Sequence, residues 1–298
     1  MSSLHVERRM GPKSNQHAFT LVELLVVISI IAVLLTVLVP ALQAAKQQAQ
    51  AALCLAHQRS LAIAYVMYND DNDGQLVGSY CTMPGTASPY ESPWVCPPMQ
   101  ADGTYFGRGS ATGEGGDPAT LEDRLRGIRA GKYFPYVDGD TDIYHCPGDK
   151  RMYEGTYIGN SQVYKMYISY GIQSGLNPGV RGYTTRLSGV PRPSETYVFV
   201  EAYADGWVHN ENSGFLLDNN SFPGSWWSVI AMWHKDSGTL SFVDGHAERK
   251  VWEDERTLDM EQCRAVDGRG YQPDNPDLQY MFRHHAQADK WDFSWMIY

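Results

Sequence analysis

From Leu24 to Ala45 the chain carries no charged side chain, and nearly every position is apolar. The block Phe19–Val39 is 21 residues long, about 31 Å as a helix at ~1.5 Å per residue. That length matches a bilayer hydrocarbon core of about 30 Å. After Pro40 the pattern changes. "ALQAAKQQAQAALCLAHQRSLAIAYVMYNDD" is rich in Ala, Gln and Leu, which favour helix. Leu53, Ala56, Ser60, Ile63, Ala64 and Met67 recur at spacings of three and four. This predicts an amphipathic second half with those residues on the buried face. Pro40 removes a backbone donor and predicts a kink between the halves. "NDDNDG", residues 69–74, supplies the turn chemistry that ends the helix near Asn69.

Downstream the periodicity shortens. Residues 78–119 are dense in Gly, Pro and Ser and read as a long loop. Asp117-Pro118 is expected to cap a short helix over "TLEDRLRGI", ended by Gly127 or Gly131. "YKMYISYGI" and "SETYVFVEAY" read as strands, the second centred on Val198–Val200. "GTLSFVDGHAERKVW" reads as a hairpin turning at Asp244-Gly245. A helix is expected around Asp254–Val266, followed by a polar and aromatic tail without strong pattern. The fold class predicted is α+β: a long N-terminal helix packed on an antiparallel sheet.

Glu23 is the anomaly in the apolar block. A carboxylate inside a membrane helix costs several kcal/mol and marks a functional position. A secretory signal would have a shorter apolar core and a nearby small-residue cleavage site. The first A-x-A match, Ala49-Gln50-Ala51, lies too far downstream. The leader carries Arg8, Arg9 and Lys13 against Glu7, which favours keeping it cytoplasmic with the bulk of the chain outside.

"FTLVELLVVISIIAVL" closely resembles the N-terminal motif of type IV prepilins and type II secretion pseudopilins. The resemblance implies that a prepilin peptidase cuts between Ala18 and Phe19 and that the new N-terminus is methylated. Glu23 would then pair with the terminal amine of a neighbouring subunit. Opposite charges in a low-dielectric bundle neutralise each other, whereas either alone is costly. Ala18 departs from the family's usual Gly before the cut. The implied organisation is a leader at 1–18, a helix at 19–70 spanning the membrane over 19–39, and an extracytoplasmic domain at 71–298. The implied location is a bacterial inner membrane, single-pass, with the C-terminal domain periplasmic or extracellular. The implied partners are prepilin peptidase and other pilin or pseudopilin subunits, in a homo- or hetero-filament.

Charge and cysteines narrow the picture. The formal charge of −10 gives no basic footprint for nucleic acid. Five cysteines, Cys54, Cys81, Cys96, Cys146 and Cys263, include no C-x-x-C pair. Outside the cytoplasm disulfides become available; Cys81 and Cys96 lie within the long loop and could staple it. "GKYFPYVDGDTDIYHCPGDK" resembles an element of large bacterial pilin-like proteins that also carry a helix cysteine. That likeness implies a Cys54–Cys146 disulfide.

"WHKDSGTLSFVDGH" matches a His-x9-Asp-Gly element found near the C-terminus of such proteins. His234, Asp244 and His246, with Glu201 or Asp205 from a neighbouring strand, are candidate ligands for a structural zinc or calcium ion. The competing account is a hydrogen-bonded His234 and a type I′ turn at Asp244-Gly245. Residues 69–80 lack the terminal Glu of a calcium loop, because Tyr80 stands there. His284 and His285 are expected to be solvated. No nucleophile elbow, phosphate loop or zinc-protease motif is present, so no enzyme activity is expected. The function expected is a filament subunit. The alternatives are a membrane-anchored ligand- or carbohydrate-binding protein using the aromatic stretch 207–233, or an anchored metal-dependent enzyme.

Overall fold

The computed structural model describes residues 20–79, 93–106, 119–154, 156–157, 163–164, 166–178, 182–204, 214–217, 223–262 and 271–296. The chain divides into two compact units, Met1–Lys46 and Gln47–Tyr298. Helix α1, Leu21–Asp71, runs through Pro40. In the first unit its large apolar side chains, from Leu21 to Leu42, are exposed. Among the described residues it is the one helix long and apolar enough to cross a membrane.

The second unit is built on α1 from residue 47 onward. Its buried stripe is Cys54, Gln58, Leu61, Tyr65 and Tyr68, with Ala51, Ala62, Ala64 and Asn69 alongside. The period matches the expectation but the phase does not. Leu53, Ile63 and Met67 are about half exposed, and of the six expected positions only Ala64 is buried. The buried face is the one whose Leu61 and Tyr65 meet Tyr133 and Phe199 in the core, and Gln58 and Asn69 are buried with it. The helix ends in a left-handed turn at Asp73 and Gly74, where the Gly74 amide bonds to the Asn69 carbonyl.

Part of the expected long loop is core. Trp94 and Val95 are fully buried, and Trp94 packs against Tyr133, Tyr144 and Phe199. The next helix, α2, spans Leu121–Ala130. Its cap is Thr120 rather than Asp117. Thr120 and Asp123 form a reciprocal capping box. Gly131 ends it; a Cβ there would stand 2.3 Å from the Trp94 carbonyl, so only glycine admits the close approach.

A short helix α3, Arg151–Glu154, precedes a two-stranded hairpin of β1, Thr156–Tyr157, and β2, Val163–Tyr164. The main sheet is five-stranded and antiparallel: β3 (Tyr170–Ile172), β4 (Tyr197–Ala204), β6 (Ser237–Phe242) and β7 (Ala247–Val251) in that order, with β5 (Val229–Ile230) also paired to β4. A register shift between Tyr197 and Phe199 resets which face each side chain takes. Phe199 then joins the core containing Tyr65 and Leu61, while Tyr197, Val200 and Ala202 join a second core.

That second core is closed by helix α5, Pro276–Arg283, following α4, Glu255–Gln262. Leu278, Met281 and Phe282 of α5 pack with Leu240 and Phe242 of β6. Every residue of β6 is therefore buried, because both faces of the strand are covered. The expected patternless tail hides α5, capped by Asn275 with Pro276 at its first position. His285 is buried and stacked on Trp291 rather than solvated.

Candidate functional site

Two places answer to the candidate residues. One is the start of α1. Thr20 caps the helix: its hydroxyl accepts from the Glu23 amide at 3.2 Å, and Glu23 Oε2 accepts from the Thr20 amide and hydroxyl, both at 2.8 Å. The carboxylate is thus held at the helix N-terminus, where the helix dipole favours negative charge. This reciprocal box is also a local structural role for Glu23. Ala18 and Phe19 lie outside the described residues.

The other place is deep in the second unit. Cys54 Sγ on α1 lies 2.7 Å from Cys146 Sγ. Cys146 follows a short helical turn at Asp142–Tyr144, and its amide bonds to Ser169 Oγ. His234 Nε2 sits 3.3 Å from Cys146 Sγ and 3.0 Å from Glu201 Oε1. Glu201 lies opposite Tyr170 on β3 and points to the helix side of β4. Thr239 of β6 fixes both of its oxygens, the hydroxyl donating to Oε1 at 2.8 Å and the amide to Oε2 at 3.2 Å. One donor atom from each of the four residues falls within 4.8 Å of the others, and all four residues are buried.

Backbone geometry places the histidine. His234 precedes Lys235, whose φ of 59° is left-handed, so the chain turns sharply before β6. Its carbonyl then receives the Ser237 hydroxyl at 2.5 Å and the Arg249 guanidinium at 3.0 Å. Gly148 donates its amide to Cys146 Sγ at 3.3 Å.

The electrostatics are coupled. The hydrogen bond with Cys146 holds the Cys54 thiol below its ordinary range. Burial pushes Cys146 and Tyr170 up. Burial alone would lower His234; hydrogen bonds to Cys54 and Glu201, with the Glu201 charge, outweigh it and raise the ring to about 9. The arrangement therefore concentrates proton acceptors around one buried point.

The nine residues of the His-x9-Asp-Gly spacing contain the whole of β6. His234 stands before the strand and Asp244 after it, so the six residues of β6, a run of about 20 Å at ~3.3 Å each, lie between them. Asp244 and His246 are exposed and pair with each other at 2.5 Å. Among the described residues they do not join His234's cluster. Only Gly245 of the turn has a positive φ, so the turn is not type I′, which needs two such residues. Cys96 is buried, its thiol raised to about 11 by burial; Cys81, Cys263 and Asp205 lie outside the described residues. In the aromatic stretch, Trp226 is fully buried and Trp233 covers the Arg151 guanidinium at 4.9 Å. Those two rings serve packing, not a presented platform. Thr239, which orients Glu201, carried no signal in the sequence.

Residues 13–39 match the family described as the prokaryotic N-terminal methylation motif. No curated protein and no solved structure matches the chain. The motif, at the head of one apolar helix, supports a type IV pilin-like protein anchored by a single membrane pass.

Proposed function

We propose that the chain is a structural subunit of a type IV pilus-like or type II secretion pseudopilus-like filament. Prepilin peptidase removes residues 1–18 and the amine of Phe19 is methylated. The second unit then lies on the outer side of the inner membrane. The observation that carries this reading is the methylation-motif match over residues 13–39, on the helix that meets the length of a bilayer. The work of the protein is assembly rather than chemistry. In the single chain Glu23 is satisfied by Thr20. On assembly a neighbour's Phe19 amine offers it a full opposite charge in a setting without water. Exposed Leu53, Ile63 and Met67 extend apolar surface along the helix beyond the membrane half.

Mass spectrometry of the mature N-terminus from membranes tests the reading. N-methyl-Phe19 is the expected species. An intact Met1, or a cut near Ala51, would reject it.

A further inference from the structure

We propose that Cys54, Cys146, His234 and Glu201 form a buried site for one divalent transition-metal ion of the zinc class. The inference is independent of the filament reading. Two sulfurs, an imidazole nitrogen and a carboxylate oxygen are the donor types that zinc takes in closed four-coordinate sites. They come from four separate segments: α1, the turn after Asp142–Tyr144, β4, and the turn before β6. Nothing in ordinary core packing calls for four such groups to converge on one point.

The distances suit an ion after a small outward movement. Tetrahedral zinc, with bonds of ~2.3 Å to sulfur and ~2.0–2.2 Å to nitrogen and oxygen, needs sulfur–nitrogen and nitrogen–oxygen edges of about 3.5 and 3.4 Å. Here they are 3.3 and 3.0 Å. The sulfur–sulfur edge needs about 3.8 Å and stands at 2.7 Å, so it must open most. Side-chain torsion at Cys54 and Cys146 can supply that opening.

The surroundings are those of an outer ligand shell. Thr239 holds both oxygens of Glu201, and the Gly148 amide points at Cys146 Sγ, as it would toward a thiolate. His234 Nδ1 has no hydrogen-bond partner. The ion replaces two protons of the cluster, which leave to solvent, and two thiolates, one carboxylate and a neutral imidazole surround the dication.

A disulfide is the rival use of the sulfurs, and it leaves His234 and Glu201 to pair alone. The full-length protein, purified in detergent without chelator, distinguishes them. Elemental analysis is expected to give close to one zinc per chain. Cys54 and Cys146 are expected to react with maleimide only after chelation, with no reductant needed. Cobalt in place of zinc is expected to show tetrahedral visible bands and thiolate charge transfer, and Glu201→Gln is expected to weaken zinc retention at least tenfold. A Cys54–Cys146 disulfide peptide without stoichiometric metal would overturn the proposal. So would undiminished metal in Cys54→Ser and His234→Ala, or no cobalt bands in the reduced wild-type protein.

Discussion

Gln58, on the buried face of α1, donates through Nε2 to the main-chain carbonyl of Thr239 in β6 at 2.7 Å, and also meets that residue's hydroxyl at 3.2 Å. Both residues are fully buried. The helix is therefore tied to the sheet by a polar bond inside the core, not only by apolar packing. Removing a buried hydrogen-bonding partner costs about 1–3 kcal/mol. Gln58→Ala is expected to lower the denaturation midpoint accordingly. Gln58→Met should cost less, because Oε1 of Gln58 already lacks a partner and the volume is kept. Equal stability of Gln58→Ala and wild type in chemical unfolding would contradict this.

The capping pair at the start of α1 separates two duties of Glu23. Gln at position 23 can still accept from the Thr20 amide, so Glu23→Gln is expected to insert in membranes and be processed normally. It loses the charge that a neighbour's amine would meet, and its incorporation into filaments should fall at least tenfold. Co-expression with wild type, followed by recovery of sheared filaments, measures the ratio. Equal incorporation would remove Glu23 from assembly.

Asp149 and Arg151 form an ion pair in which both side chains are almost fully buried, at 2.7 Å. The guanidinium also reaches the Ile168 and Tyr203 carbonyls and lies under Trp233. Arg151→Met strands a buried carboxylate and is expected to cost about 3–5 kcal/mol. Arg151→Met with Asp149→Asn should recover part of the loss. Thermal unfolding of the single and the double variant beside wild type checks both signs.

His285 gives an acid limb. Burial lowers its pKa from 6.5 to about 3, so the folded state keeps the ring neutral. The unfolded state binds the extra proton between those values, and stability falls as pH drops from about 6.5 toward 3, with a slope approaching 1.4 kcal/mol per unit. Above about 6.5 this contribution is constant. His285→Gln is expected to flatten the limb while lowering neutral-pH stability through lost stacking on Trp291. An unchanged slope in urea midpoints against pH would refute the assignment.

The apolar block, β4 and the β6–β7 hairpin were legible because each is a strong local pattern. The phase of α1 was not. Hydrophobicity favoured Leu53, Ile63 and Met67, yet partners elsewhere in the chain select Cys54, Gln58 and Tyr65. Only Asn275-Pro276 announces helix α5 in the sequence, and its apolar face finds its partner in β6, a strand covered on both faces. The buried cluster was half legible. The resemblance pairs its cysteines, and the sequence offers Glu201 beside His234 but adds Asp244 and His246, which stand beyond the far end of β6. The nine intervening residues contain a whole strand, and strand ends are far apart.

The bond between Gln58 and Thr239 spans 181 positions of chain, and this has a consequence in time. During synthesis residues 47–71 are made long before Thr239 of β6, their polar partner in the sheet. Closing so long a loop is slow relative to local contacts. Until β6 is in place, the Gln58 amide has no Thr239 carbonyl to meet, and the polar tie between helix and sheet is missing. The part of the domain made earliest is thus tied down late, and a chain truncated before residue 237 would lack that buried bond while keeping Tyr65 against Phe199.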